Sequence, residues 1–283
     1  MTPALRRTAL LETPATDLLR ARYGADAPPA EGPLNAVLEL LLSHRSVRAF
    51  LPRPLPPGAL EMVVAAAQSA ATSSNLQTWS VLAVEDPERK ARLSALAAGQ
   101  KFVAQCPLLL VWLADLSRLA RLGEARGKTL EGLDYMEAFL VAALDAALAA
   151  QNAVVALESL GLGGVYIGAM RNKPEEVAAE LGLPPNVMAV FGLCIGWPDP
   201  AVQAEVKPRL PQAAVLHREQ YDATAEAGAV ESYDAAMREF SQRNGMGDQA
   251  WTPRVMARIG TTAALTGRDR MRAALDGMGF RLR

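Results

Sequence analysis

Apolar residues fall into three runs of strand length, 79–84, 108–113 and 187–195, and the segments between them repeat apolar positions at helical spacing. The helical pattern covers residues 35–42, 59–71, 88–98 and 130–160. A further helix opens with Pro174 at its first position and Glu175 and Glu176 in its first turn, and Gly182 closes it. Gly161, Gly163 and Gly164 end the long helix and lead into a short strand, Val165-Tyr166-Ile167. After Gln212 the pattern is helix and loop. Upstream, residues 16–23 suit a short helix closed by Gly24, and ADAPPAEGP at 25–33 has linker composition. This organisation predicts an N-terminal extension and linker over 1–33 and a single domain over 34–283. Few strands separated by helices, with a strand-free tail, predict an α+β fold with one mixed sheet surrounded by helices.

Composition narrows the class. Hydrophobic residues are 51% of 283, which excludes a disordered polymer, and aromatics are only 5%, so the core must be built mainly from Ala, Leu and Val. The longest apolar stretch, 138–157, contains Asp145, Gln151 and Asn152. A membrane span carries such groups at high cost, whereas a buried helix can give them hydrogen-bond partners. Arg6 and Arg7 are not followed by the apolar run and cleavage site of a secretory signal. These features point to a cytoplasmic protein with no membrane partner. With 29 basic and 30 acidic side chains the net charge is -1, so no overall basic excess suggests a nucleic-acid partner. Residues 243–283 nevertheless hold eight arginines against Asp248, Asp269 and Asp276. Cys106 and Cys194 sit far apart in apolar runs and read as buried small hydrophobes. The two histidines, His44 and His217, show no zinc spacing, and no metal is expected.

Familiar motifs fail on spacing. Gly161-x-Gly163 would place the third glycine of a dinucleotide fingerprint on Tyr166, and its order is helix to strand. Gly127-Lys128-Thr129 has Gly123 one residue too close for a phosphate loop, and no GxSxG elbow exists. Four polar clusters remain. His44-Arg45-Ser46-Val47-Arg48 offers planar guanidinium donors for a phosphate and a ring carbonyl, although the segment taken alone reads first as a solvated helix end. Thr72-Ser73-Ser74-Asn75-Leu76-Gln77 can bond a polar ring edge or simply turn the chain. Gly164-Val165-Tyr166-Ile167-Gly168 lets backbone run beside a flat ligand, or ends a helix ahead of a core strand. Lys207-Pro208-Arg209 sets two cations on a stiff tripeptide, as a phosphate clamp or a surface loop.

Taken in order, HRSVRAF at 44–50, ATSSNLQ at 71–77, GQKFVAQ at 99–105, AQNAVVALESLGLGGVYIGAMRN at 150–172, FGLCIGWP at 191–198 and KPRLP at 207–211 resemble the nitroreductase family. The similarity runs over about 34–260 and points to its oxygen-insensitive nitroreductases and NADPH–flavin reductases. The resemblance implies an α+β homodimer with active sites at the subunit interface. It also implies FMN as cofactor and NADPH or NADH as electron donor. Nitroaromatics, quinones or flavins would be reduced by ping-pong, two-electron hydride transfer, with no catalytic acid or base. Carried onto this chain, His44, Arg45, Ser46, Val47, Arg48, Thr72 and Gln100 should contact FMN. The backbone of Tyr166, Ile167, Gly168 and Ala169 should run beside its ring, and Lys207, Pro208 and Arg209 should serve phosphate and ring edge. A flavin-binding sensor or storage protein with little turnover is the alternative.

Departures from the family pattern bear on the electron donor. The basic loop that grips a 2′-phosphate in relatives corresponds to residues 243–249, where Arg243 matches but Gly247, Asp248 and Gln249 replace further arginines. A carboxylate there repels phosphate. Thr261 and Ala264 stand where relatives place cations over the substrate, and Ala169 replaces a glycine.

Overall fold

The computed structural model describes residues 14–283. The first part of the expected N-terminal extension, residues 1–13, lies outside the described residues. In chain order the helices are α1 (Ala15–Tyr23), α2 (Ala36–Leu42), α3 (Ala59–Gln68), α4 (Pro87–Leu96), α5 (Lys101–Gln105), α6 (Ser117–Ala125), α7 (Met136–Ser159), α8 (Pro174–Leu181), α9 (Glu226–Arg243), α10 (Trp251–Ile259) and α11 (Met271–Gly277). The strands are β1 (Trp79–Val84), β2 (Leu108–Asp115), β3 (Gly163–Ile167) and β4 (Val187–Gly196). The chain divides into two compact units. One joins the residues up to Arg45 with 204–264, and the other joins 46–203 with 265–283.

The larger unit holds the sheet. Its strand order is β1-β2-β4-β3, and every ladder is antiparallel. The sheet is therefore not mixed as expected; the parallel element is one isolated bridge, Ser46 to Gly164. Apolar runs mark strands covered on both faces, which usually means a parallel sheet. Here helices cover both faces of an antiparallel one. Along β2, Leu109, Val111 and Leu113 pack against Leu93 and Ala97 of α4, Val103 of α5 and Val177 of α8. The alternate residues Leu108, Leu110 and Trp112 face Val63 and Ala67 of α3 and the alanines of α7. Period-two alternation thus survives inside a strand with no polar face.

The helix ends follow local chemistry. Asn35 caps α2 by accepting from Leu38 N at 3.0 Å, and Asp86 caps α4 from Arg89 N at 2.8 Å, with Pro87 in the first turn. Gly182 closes α8 at φ 63°. The long helix begins at Met136, later than the apolar pattern predicts, because residues 131–134 form a tighter 3-10 turn. Helices α5 and α6 are additions to the predicted set.

Helix α7 is long and apolar enough to cross a membrane, yet half of its most apolar stretch is buried in this unit. Ala146, Ala149, Ala150 and Ala153 are fully buried, so backbones approach closely and few aromatics are needed. The polar interruptions are used: Asp145 accepts hydrogen bonds from residues 73 and 78, and Asn152 donates to Ala66 O at 3.2 Å. Cys106 and Cys194 are free and fully buried, and Cys106 Sγ donates to Val103 O at 3.3 Å. The neighbouring Cys106 thiol and burial push the Cys194 thiol far above its ordinary value. In the smaller unit, Tyr233, Met237 and Phe240 of α9 pack with Leu210 and Trp251.

Candidate cofactor site

In the smaller unit one buried guanidinium organises the predicted cations. Arg22 is 6% exposed, near the end of α1. It donates to Lys207 O at 2.9 Å, to Leu42 O at 2.7 Å and to His44 O at 2.9 Å. Arg209 N returns a bond to Arg22 O at 2.8 Å. The end of α2 and the 207–209 segment are thereby laced together, and His44 and Arg45 are placed in the same unit as Lys207, Pro208 and Arg209. Pro208 is buried, its carbonyl accepting from Tyr233 Oη at 3.1 Å. The Lys207 ammonium lies 5.9 Å over the Phe240 ring. The Arg209 guanidinium is turned onto the carbonyls of Lys207 and Pro208 at 3.3 and 3.1 Å.

Arg22 is the residue that sequence reasoning missed. One signal was available: it follows Leu18 and Leu19 at helical i+4 and i+3 spacing, so it lies on the apolar face of α1. An arginine on such a face needs carbonyl partners when buried.

The larger unit gathers a second group. Val47 is buried and donates to Gly164 O at 2.9 Å, which sets Ser46, Val47 and Arg48 along β3. Gly163 is required by space: a Cβ there would lie 2.6 Å from Val47 Cγ2 and 3.1 Å from Pro198 Cγ. Further along the same strand, Tyr166 pairs with Leu193 and stacks edge-on against Phe191 at 5.2 Å. Burial, and after it the Glu158 carboxylate, push the Tyr166 phenol above its ordinary value, although 39% of the residue remains exposed. The strand then turns through Gly168 and the buried Ala169, a turn fastened by the bond from Arg171 to Val190 O. Ser46 thus bridges β3 at Gly164, while Tyr166 and Ile167 lie further along the strand and Gly168 and Ala169 in the turn that follows it.

Thr72 and Gln100 stand on other elements of this unit. Gln100 precedes α5 and accepts from Ser94 Oγ at 2.9 Å through its carbonyl. Thr72 begins a loop with Ser74, Asn75 and Gln77 at φ 48°, 56° and 51°. Left-handed backbone costs a non-glycine residue about 1 kcal/mol, so three in four positions require outside support. Arg118 supplies part of it, donating to Gln77 O at 2.7 Å and Ser80 Oγ at 2.9 Å. Thr72 lines a cavity of about 470 Å³ with Gln68, Asn75, Gln77, Ser80 and Arg118. On the other side, Ser73, Ser74, Leu76 and Thr78 line a mostly apolar cavity of about 430 Å³ with residues of α6 and α7. Nearby, burial would raise the Asp115 carboxyl, but hydrogen bonds from Ser117 and Ser80 and the Arg118 charge outweigh it, and the pKa falls below its ordinary value.

Within each unit taken by itself, the cations and exposed donors could serve an anionic ligand. Arg45 and Arg48 are exposed, and among the described residues neither forms an ion pair with a carboxylate. Arg243, the expected nucleotide contact, differs. It lies 3.7 Å from Glu205 and 4.0 Å from Glu239, and Glu205 also accepts from Asn244 at 3.1 Å. Asp248 lies 3.9 Å from Arg238. No cluster of His, Cys, Asp and Glu able to hold a metal occurs among the described residues.

An antiparallel sheet between helix layers, with this strand-side glycine and cation pattern, defines a nitroreductase-like fold. The pattern of the nitroreductase family matches residues 41–197, and that of the family's C-terminal domain matches 207–283. The chain belongs to the nitroreductase family. It is 37% identical to the FMN reductase (NADPH) of Bacillus subtilis over 79% of this chain and 91% of that protein. With the oxygen-insensitive NADPH nitroreductase of Salmonella typhimurium it shares 39% identity over 73% of this chain and 83% of that protein. The NADPH:FMN oxidoreductase of Vibrio harveyi, solved with NAD+, superposes with a TM-score of 0.77 at 32% identity, over 88% of this chain and all of that one.

Proposed function

We propose that this chain is an FMN-dependent NAD(P)H oxidoreductase that reduces nitroaromatics, quinones or flavins. The observation that carries this reading is the family match over nearly the whole chain, to relatives named for reduction of FMN and nitro compounds. FMN, when bound, supplies the two-electron hydride chemistry between nicotinamide and acceptor. The protein's part is to bind and orient. By the family match, His44, Arg45, Ser46, Arg48, Lys207 and Arg209 are assigned to FMN as hydrogen-bond donors and positive charge for a phosphate and a ring carbonyl edge. Val47, Gln100, Pro208 and the backbone of Tyr166 to Ala169 shape the contact with a flat ring, and Thr72 adds a hydroxyl. No side-chain acid or base is needed for hydride transfer. Residues 34–283 are taken as a single FMN-dependent domain, and the cytoplasm as the protein's place of work.

The electron donor is proposed to be either nicotinamide nucleotide. Arg243 is shared between two carboxylates, and Asp248 adds a third nearby in the sequence. Exposed ion pairs are weak, but the surplus of negative charge offsets what the arginine offers a 2′-phosphate. Steady-state kcat/KM values measured with NADPH and NADH, with FMN and a quinone acceptor, are expected to agree within roughly tenfold. Strong preference for NADPH would contradict the donor assignment, and no FMN-dependent turnover with either would contradict the function.

A homodimer completes the proposal. Leu140, Leu144 and Leu148 of α7 follow one another at i+4 spacing and are 50%, 54% and 51% exposed. An apolar stripe of this kind on a core helix is expected to be covered by another chain. Sedimentation velocity should show a dimer for the native chain and mostly monomer for Leu144→Asp, while a Leu144→Asp dimer of unchanged strength would refute this interface.

A further inference from the structure

We infer that Asp145 is a positioning residue for the ligand site, holding the 72–78 loop in its left-handed conformation from inside the core. The inference rests on the proposed FMN reading only through Thr72, the loop residue assigned to the cofactor.

Asp145 is 2% exposed, yet it is a carboxylate on the most apolar helix of the chain. A group of that kind is tolerated in a core only when its oxygens are bonded. Its partners all belong to the loop. Oδ1 accepts from Ser73 N at 3.2 Å, and Oδ2 accepts from Thr78 N at 3.1 Å and from Thr78 Oγ1 at 2.9 Å. These bonds fall on the two ends of the segment that contains the left-handed Ser74, Asn75 and Gln77. The carboxylate thus closes the loop across its base, with both end amides converging on one side chain. Of its own the loop has Asn75 N donating to Thr72 O at 3.4 Å, Leu76 N to Ser73 O at 2.9 Å, and Gln77 Nε2 to Asn75 Oδ1 at 3.2 Å. Residues held this way form the wall between the cavities of about 470 and 430 Å³. A wall between two ligand-sized spaces, built from energetically unfavourable backbone and fastened by a buried charge, is preorganised for contact with a ligand.

An uncharged isostere tests this. Asp145→Asn keeps the shape but turns an NH2 toward amide donors that need an acceptor. In the flavin-free protein, hydrogen exchange at the Ser73 and Thr78 amides is expected to accelerate roughly tenfold or more, and the FMN dissociation constant should rise by a similar factor. Thr78→Val, which removes only the hydroxyl donor, should shift affinity in the same direction by a smaller factor, whereas Thr78→Ser keeps the donor and native affinity. Asn152→Ala removes another polar anchor of the same helix and serves as the comparison: it should lower Tm and leave FMN affinity unchanged. Should Asp145→Asn fail to fold, the Thr78 pair decides. Native FMN affinity in Asp145→Asn, or equal affinities for the Val and Ser variants at Thr78, would overturn the inference. If the native chain itself binds no FMN, the flavin reading fails, and the exchange of the two amides alone decides whether Asp145 holds the loop.

Discussion

Replacing Arg22 by Met is expected to lower Tm by roughly 6–12 °C and to weaken FMN binding at least tenfold. Three carbonyl oxygens lose a charged donor when the guanidinium is removed, at Leu42, His44 and Lys207. Hydrogen bonds to a charged group are worth about 1.5–3 kcal/mol each, and carbonyls left buried without a donor add to the cost. Methionine recovers some apolar contact, so a net loss of about 3 kcal/mol is a reasonable expectation. For a protein of this size that corresponds to the stated fall in Tm, at roughly 2–4 °C per kcal/mol. The effect on FMN follows from what Arg22 connects, since the residues at 44–45 and 207–209 lose their common anchor. Arg20→Met, an exposed change two residues away on the same helix, should leave both quantities near native values. Calorimetry and flavin-fluorescence titration of the two variants check this. Native stability and affinity in Arg22→Met would remove Arg22 from the account.

Gly163→Ala is expected to be disproportionately damaging for one added methyl group. Its Cβ would sit 2.6 Å from Val47 Cγ2 and 2.9 Å from Val47 Cβ. Val47 has little freedom to retreat, because its amide is bonded to Gly164 O and its branched side chain is buried. Overpacking of this kind costs about 1–3 kcal/mol. Ser46 and Arg48 would move with Val47, so FMN affinity should fall by roughly tenfold or more even where the fold survives. Gly228→Ala, with open space around the new methyl and a helical backbone, should instead be neutral or stabilising by up to about 1 kcal/mol. Val47→Ala added to Gly163→Ala restores the space and should recover much of the lost affinity. Failure of that rescue, with the double variant well folded, would show that the close approach is not what the glycine provides.

The sequence pattern located most elements because their signals are local. Continuous apolar runs marked β1, β2 and β4, and Pro174 with Gly182 marked both ends of α8. Strand direction was not legible, since covered faces on both sides produce the same apolar runs in either orientation. The early part of the long helix was overcalled at 130–135 because a 3-10 turn carries the same apolar spacing over so short a distance. Among the site residues, Ser46 and Val47 meet β3 through the bridge and the hydrogen bond at Gly164, an association of distant segments that carries no local signal. What composition could not show is which polar side chains become buried anchors. The positions of Arg22 and Asp145 on apolar helix faces were legible, but their partners were not, because the carbonyls and amides come from distant segments.

The central claim is that the chain binds FMN and passes electrons through it from a nicotinamide nucleotide. Its most direct test is the visible absorbance of the FMN-reconstituted protein under anaerobic titration with NADH and with NADPH. The account predicts one flavin per chain, loss of its absorbance near one equivalent of at least one donor, and recovery on adding a quinone or nitroaromatic. A protein that binds no flavin, or whose flavin neither donor reduces, would contradict it.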